Sequence, residues 1–580
     1  MRRFIVSQFH RSHGFSAGGV VPRVAVCALL ASAAALTTTQ AHATTYKVGP
    51  SQTYKQLSAV APLLKPSDIV EVDGDATYTG GVIFDQPGSP AAKITIRGVP
   101  KNGKRPVISG GTNTIEARAN YYVFEGLELT GGSFRCFFHH ANDITLRNSV
   151  IHDCAKHGVL GADQDSGSLL MEYVEVYNCG GGTQDHQIYM ATDEATYPKS
   201  VFRMQYCYVH DANGGNNVKS RAERNEIYYN WVEGALYHEL ELIGPDGGNP
   251  ALAREDSDVV GNVLVKDKTS FVVRFGGDGT GETDGRYRFV NNTVITQPGG
   301  SAVFRLFDGL QSIEMHNNVF WATGSGNVNV VRSVEAQWTQ GNALIAGSNN
   351  WVKTGASNIP SEWTGTLSGA APGFGNAAAF DFHPTMTAPV VDKGASALTG
   401  PSGYAFPSPL AAPAYHPPDR QLLALGAAVA RPKVGVIDIG AYEYGVGAGG
   451  TGGTGGTGGT GGTGGAGGSG GTTASGGGAG TAGSAGNGGV AGASSGGASN
   501  AGAGGAVASG GGTAGGASGS TASGGASGST SKSDSGDDGG CGCRTAGGSG
   551  RSHTSLIWPA LALLLGLRRR RRSTRPRTAA

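Results

Sequence analysis

FEGLELTGG (residues 124–132), LRNSVIHDC (146–154), MEYVEVYNC (171–179), QYCYVHDANG (205–214), YYNWVEG (228–234), VGNVLVKD (260–267), VNNTVITQ (290–297) and HNNVFWATG (316–324) are eight versions of one pattern. Each places an apolar strand before a polar or glycine position and a second β-rich strand after it. Aligned on Gly126, Asn148, Tyr173, Tyr206, Asn230, Asn262, Asn292 and Asn318, they recur every 22 to 33 residues, the range of a solenoid coil. One coil cannot bury its apolar side, but stacked coils form parallel sheets around a continuous core. The strands are rich in Val, Ile, Tyr and Phe, and no stretch keeps a helical period. The expected fold is all-β, a single-stranded right-handed parallel β-helix. Asparagine at one turn of five of these coils should act twice, tolerating a left-handed backbone and bonding its amide to the next coil.

Working outward, the foldable part runs from Thr44 to Tyr444. Residues 1–43 read as a secretory signal peptide. They hold a basic leader (Arg2, Arg3, His10, Arg11, Arg23), an apolar run from Val24 to Leu36, and an Ala41-His42-Ala43 cleavage signature. Residues 445–540 are almost entirely Gly, Ala, Ser and Thr; such a stretch cannot bury enough surface to offset its ordering entropy and is expected to be a disordered stalk. As a flexible coil it spans roughly 50–60 Å. Residues 541–580 combine Cys541-Gly542-Cys543-Arg544, the apolar run Leu556 to Leu567, and Arg568 to Arg572. That run makes a helix of about 18 Å, short against a hydrocarbon core of about 30 Å.

The 44 basic and 43 acidic residues nearly cancel, and the folded part shows no basic stripe, so a nucleic-acid partner is not expected. A monomer is. Cys136, Cys154, Cys179 and Cys207 recur about once per coil, which suits stacked free thiols and disulfides equally well.

TYKVGPSQTYKQLSAVAPLLKPSDIVEVDGDATYTGG (45–81) resembles the N-terminal segment of pectate-lyase-like β-helices, with Tyr54 to Leu64 capping the core and Asp68 to Val72 opening the first strand. FDFHPTMTAPVVDKGA (380–395) and RPKVGVIDIGAYEY (431–444) resemble the closing segment of secreted bacterial β-helix proteins. The three-part tail resembles the MYXO-CTERM sorting tail of myxobacterial surface proteins. That resemblance implies recognition at the membrane, cleavage by a processing protease, attachment at Cys541 or Cys543, and display at the cell surface.

Strand alternation then defines a column of side chains. In GVL, QIYM, NVKS, ELEL, VVRF and VFRL, let Val159, Ile188, Val218, Leu240, Val273 and Phe304 point inward. Leu160, Tyr189, Lys219, Glu241, Arg274 and Arg305 then point outward, with Gln187, Asn217 and Glu239 on the same face and His186, Asn216 and His238 beside them. Such a column suits an extracellular acidic polysaccharide. Cleavage of a uronate polymer by β-elimination needs a cation on the carboxylate, a base for the C5 proton and an acid for the leaving oxygen. Lys219 among cations suits the base, Arg274 and Arg305 the carboxylate clamp, and Tyr189 the acid or a second base. Asn217, Glu239, Glu241, His186 and His238 are the expected substrate-binding neighbours.

NNVKSRAERNEIYYNWVEG (216–234) also resembles the lysine-bearing coil of the chondroitinase B and alginate lyase family. The resemblance implies that Lys219 is a Brønsted base. The chain departs from that family at the next coil, where Glu241 stands in the arginine position and Arg274 lies one coil further. Calcium is the metal to consider, with Glu239 and Glu241 as alternative ligands, although the family's ligand pattern is not reproduced. Asp246, Asp256, Asp258 and Asp278 are read as loop residues without a calcium-loop signature. The competing reading is a solvated ladder of alternating charge on a non-catalytic adhesin or structural glycan-binding protein.

Overall fold

Each circuit of the chain lays down up to three short strands, and equivalent strands of successive circuits pair in parallel. The computed structural model describes residues 43–244, 256–277, 285–298, 302–306, 310–332, 344–406 and 408–445. The expected signal segment, glycine-rich stalk and sorting tail, with Cys541 and Cys543, lie outside the described residues. The first face runs from Thr45–Val48 through Ile69–Asp73, Ile94–Val99 and Tyr122–Glu125 as far as Trp363–Thr364. The second runs from Thr77–Thr79 to Leu367–Gly369. In two circuits these faces fuse into the single strands Ile144–His152 and Leu169–Tyr177. Among the described residues the third face stacks ten strands, from Val82–Phe84 to Asn329–Val331. This is a parallel β-helix, right-handed as connections between parallel strands of one sheet almost always are.

The core follows from register. Phe124, Leu146, Met171, Met204, Ile227, Val259 and Phe289 pair one on the next along the first face, and all are fully buried. Each such side chain contributes roughly 1.5–3 kcal/mol through removal from water. Leu57, Val60, Ala61 and Leu64, on two short turns at Leu57–Ala59 and Ala61–Leu63, are buried against the first coils as the expected cap.

At the corner between the first two faces, the two jobs expected of one residue are split between neighbours. The left-handed residue is Gly126, Asn148, Tyr173 or Tyr206 in the early coils, but Tyr229, Gly261, Asn291, Asn317 and Asn349 in the later ones. The amide ladder is made by the residue after it: Asn230, Asn262, Asn292, Asn318 and Asn350. Asn230 Nδ2 donates to Asn262 Oδ1 at 2.9 Å and Asn262 Nδ2 to Asn292 Oδ1 at 3.0 Å. Each Oδ1 also accepts the preceding rung's backbone N–H, and each Nδ2 also reaches a first-face carbonyl. Asn148 is left-handed and stands outside this ladder; Ser149 follows it and accepts from Leu127 N. At Asn230, Asn262, Asn292 and Asn318 the aligned asparagine is the ladder residue and the left-handed one stands just before it, whereas at Asn148 the aligned residue is itself left-handed.

Two other expectations change. Asp256 and Asp258 sit in the strand Asp256–Val260, not in a loop, and accept from Arg286 and Arg288 at 2.6–3.0 Å. After the hairpin of Phe374–Asn376 and Asp381–Pro384, the closing segment returns along the flank of the coils. Tyr229 Oη donates to Ala412 O, Tyr415 packs edge-on against Tyr206 and Tyr229, and Ala441 N donates to Thr293 Oγ1. Cys136 and Cys154 form a disulfide, while Cys179 and Cys207 are free and buried. Among the described residues no helix is long and apolar enough to cross a membrane.

Candidate functional site

The third face carries the outward column in the register that alternation dictates. Leu160 pairs with Tyr189, Tyr189 with Lys219, Lys219 with Glu241, Glu241 with Arg274 and Arg274 with Arg305. The companion residues Val159, Ile188, Val218, Leu240, Val273 and Phe304 are all fully buried in the core. Tyr189, Lys219, Glu241, Arg274 and Arg305 are therefore brought together on five consecutive rungs.

Their setting differs from a solvated ladder. Lys219 keeps 8% of its exposure, and Tyr189, Glu241 and Arg274 keep 2% each. Glu241 is the hub. Arg274 Nη1 donates to its Oε1 at 3.0 Å, Lys219 Nζ lies 3.8 Å from its Oε2, and Asn216 Nδ2 donates to the same oxygen. Burial pushes the Glu241 carboxyl up, but the charges of Lys219 and Arg274 outweigh it and hold the group well below the usual carboxylate range. Lys219 thus neighbours an anion rather than the cations expected around a base. Its Nζ also stands 5.2 Å from the centre of the Tyr189 ring. Half-buried Arg305 and Arg332 lie 5.6 and 5.3 Å from the Phe271 ring at the far end of the column.

Beside the column, His157, His186, Asn216 and His238 stack on successive coils. Asn216 N donates to His186 Nδ1 at 2.9 Å, and His238 N donates to Asn216 Oδ1 at 2.8 Å. Burial, with nearby cations, pulls His157 and His238 down to about 3 and His186 well below its ordinary value, so the imidazoles are neutral. His186 and the His238 backbone hold Asn216, which in turn donates to Glu241, and neither imidazole presents a charged group to a ligand.

Asn217 and Glu239 do not join the outward face. Both are fully buried at the corner, where Gln187 Nε2 donates to Asn217 Oδ1 at 2.7 Å and Asn217 Nδ2 donates to Glu239. Glu239 pairs with Lys266 at 3.2 Å, and neither is exposed. The turn before the third-face strand rotates these side chains into the interior, so strict alternation stops at the strand's first residue. With Glu239 and Glu241 both engaged by cations, neither is set out as a calcium ligand. Among the described residues no group of three or more His, Cys, Asp or Glu is placed to hold a metal ion.

One residue escaped the sequence reading. Arg221, two positions after Lys219, shares its face and is 1% exposed. Its Nε donates to Tyr189 Oη at 3.0 Å and its Nη1 donates to Gly244 O. The K-x-R spacing was the available signal, since residues i and i+2 of a strand face the same way. On the other side of Tyr189, Leu160 and Phe138 continue the column as an apolar strip.

No family model matches the chain, and no curated protein matches it. Among solved structures it is similar to pectate lyase Pel9A, at 13% identity over 69% of this chain and 96% of that one, with a TM-score of 0.45. The PL6 family alginate lyase AlyGC matches at 14% identity over 53% of this chain and 52% of that one, with a TM-score of 0.35. GH136 lacto-N-biosidase from Eubacterium ramulus matches at 13% identity over 53% of this chain and 67% of that one, with a TM-score of 0.31.

Proposed function

We propose that the third face binds an extracellular acidic polysaccharide and cleaves it by β-elimination at the rungs of Tyr189, Lys219 and Arg274. The observation that carries this reading is a column in which Lys219 and Arg274 flank the single carboxylate of Glu241 on the described rungs, with Arg221 beside Lys219 on the same face and Arg305 on the rung after Arg274. Buried cations act strongly on an anionic ligand, because little water screens them. Arg274 and Arg305 suit the carboxylate of a uronate, whose neutralisation acidifies the C5 proton. Lys219, the counterpart of the family's base, stands next to Tyr189, so both proton-transfer candidates meet at one place.

A second reading is favoured by Glu241 itself. A carboxylate already satisfying Lys219 and Arg274 suits a surface protein that holds a glycan without cutting it. Ultraviolet absorbance of unsaturated products, from a panel of alginate, pectate and glycosaminoglycans with and without calcium, separates the two. New absorbance that Lys219→Ala abolishes supports cleavage. Binding without absorbance supports the adhesin. Cell-surface display after cleavage near Cys541 and Cys543 belongs to the same proposal. Mass spectrometry of the mature chain should then find Arg568 to Arg572 removed.

A further inference from the structure

We infer that the cavity between the closing segment and the first face is a second binding site, which takes a small organic ammonium ion with an apolar body at Glu314. The site stands apart from the third face and does not depend on the cleavage reading. The cavity measures about 840 Å³, within the range of small-molecule pockets, which are mostly apolar with a few convergent polar groups. Val290 forms part of its floor, and the half-buried side chains of Leu398, Leu410 and Ile437 face it from the closing segment.

Glu314 is the polar group that this wall leaves over. It sits in the strand Ser312–His316 and is 9% exposed. Register sets it between Arg288 on the preceding coil and Ala346 on the next. Arg288 turns the other way. Its Nε and Nη2 donate to Asp258 at 2.6 and 2.7 Å, and its Nη1 donates to Ser408 O at 3.1 Å. Ala346 offers no partner. His316 Nε2 is 3.6 Å from Glu314 Oε2, too long for a hydrogen bond, and His316 Nδ1 is engaged with Ser348 Oγ at 2.9 Å.

The remaining polar groups of the lining are spent elsewhere or stand outside. Arg431 donates to Glu443 at 2.9 Å. Asn291 and Asn317 bond to carbonyls of the closing segment. Lys433 is exposed. The backbone of the closing segment passes over Glu314 at Gly400, where a Cβ would collide with Oε1. Among the described residues, Glu314 is thus a nearly buried carboxylate that receives no hydrogen bond and lies against an apolar cavity. A buried charge without a partner is costly. An ammonium brought in on an apolar body supplies the donors the carboxylate lacks, and the bond is strong where little water screens it. An anion of the same shape meets the wrong charge, and an alcohol supplies a single neutral donor.

The test is isothermal titration of the full chain with phenylbutylamine, phenylbutanol and phenylbutyrate. The amine should bind at one site per chain, the alcohol about tenfold or more weakly, in line with one charge-assisted hydrogen bond, and the carboxylate weakest of the three. Glu314→Gln keeps the shape and removes the charge. It should weaken the amine by about tenfold or more and leave the alcohol nearly unchanged. Glu314→Asp, which keeps the charge but withdraws it by one methylene, should lose less. Without amine, the melting temperature of Glu314→Gln should equal or exceed that of wild type, because no cation loses its partner. The inference is overturned by equal amine affinity in wild type and Glu314→Gln, by phenylbutyrate binding as tightly as the amine, or by no amine binding at millimolar concentration. A clear drop in the melting temperature of Glu314→Gln overturns it as well, since the carboxylate would then already serve the fold.

Discussion

Removing the charge of Glu241 would leave Lys219 and Arg274 facing one another in a buried place. Breaking a buried ion pair by deleting one partner costs about 3–5 kcal/mol, so Glu241→Gln should destabilise the domain by about that much in urea unfolding. The pH dependence has a definite sign. A carboxyl held below its ordinary value of about 4.3 stabilises the fold fully above that value. The contribution fades as pH falls through the lower folded value. Wild type should therefore lose stability steeply in acid, and Glu241→Gln should show a flatter acid limb. His210 has the opposite sign. Burial pulls its imidazole down, but Glu175 at 3.3 Å and Asp211 at 2.7 Å overcome this and leave it raised. Its contribution is complete below the ordinary value of about 6.5 and is lost as pH rises through the folded one. His210→Gln should remove that alkaline-side loss, measured as melting temperature between pH 5 and 9.

At the scale of the element, the asparagine ladder lets one coil specify the next. Asn262 sits mid-ladder, with Oδ1 serving Asn230 and Nδ2 serving Asn292 and Ile227 O. Asn262→Ala strands buried polar groups on both neighbouring coils and should cost about 2–4 kcal/mol, since each costs about 1–3 kcal/mol unpaired. Hydrogen exchange should show the loss spreading to the coils of Asn230 and Asn292 rather than staying local. The corner before the ladder also constrains sequence. Gly261 has φ +70, and a Cβ there would come within 2.7 Å of the Tyr229 ring, so both backbone conformation and space favour glycine. The disulfide works between the early coils. Cys136 and Cys154 are 18 residues apart, and closing a loop of that size stabilises by about 3 kcal/mol in the chain-entropy account. Reduction should lower the melting temperature, and the denatured, unreduced 44–444 portion should titrate with two free thiols, Cys179 and Cys207.

At the scale of the whole molecule, the segment from 385 to 445 ties distant coils together by running along their flank. Asn291 Nδ2 and Asn317 Oδ1 bind it to the coils, and Arg431 folds its end together by donating to Glu443 Oε2 at 2.9 Å and to the carbonyls of Gly440 and Asp438. Arg431 and Glu443 are both nearly inaccessible. A cavity of about 840 Å³ remains between the strap and the coils, lined by residues such as Leu398, Leu410, Val290 and Glu314. Arg431→Met should cost about 3–5 kcal/mol by leaving Glu443 unpaired. Limited proteolysis should then cut within residues 396–430 well before the coils are attacked.

The sequence by itself determined the β-helix, its cap and the outward column from Leu160 to Arg305. Those features depend on periods of two residues and of one coil, which are visible in the order of side chains. It did not separate the left-handed residue from the ladder residue, because asparagine suits either job and the two positions are neighbours, so Asn230 or Asn262 could serve as either until backbone angles are known. It could not show that Asn217 and Glu239 turn inward while Lys219 and Arg221 face out, since the corner geometry that breaks alternation belongs to the stacked coils. Only the tertiary structure decided which cysteines pair, where the closing segment runs, and that the charged column is buried. Each of these depends on contacts between residues that the chain keeps far apart.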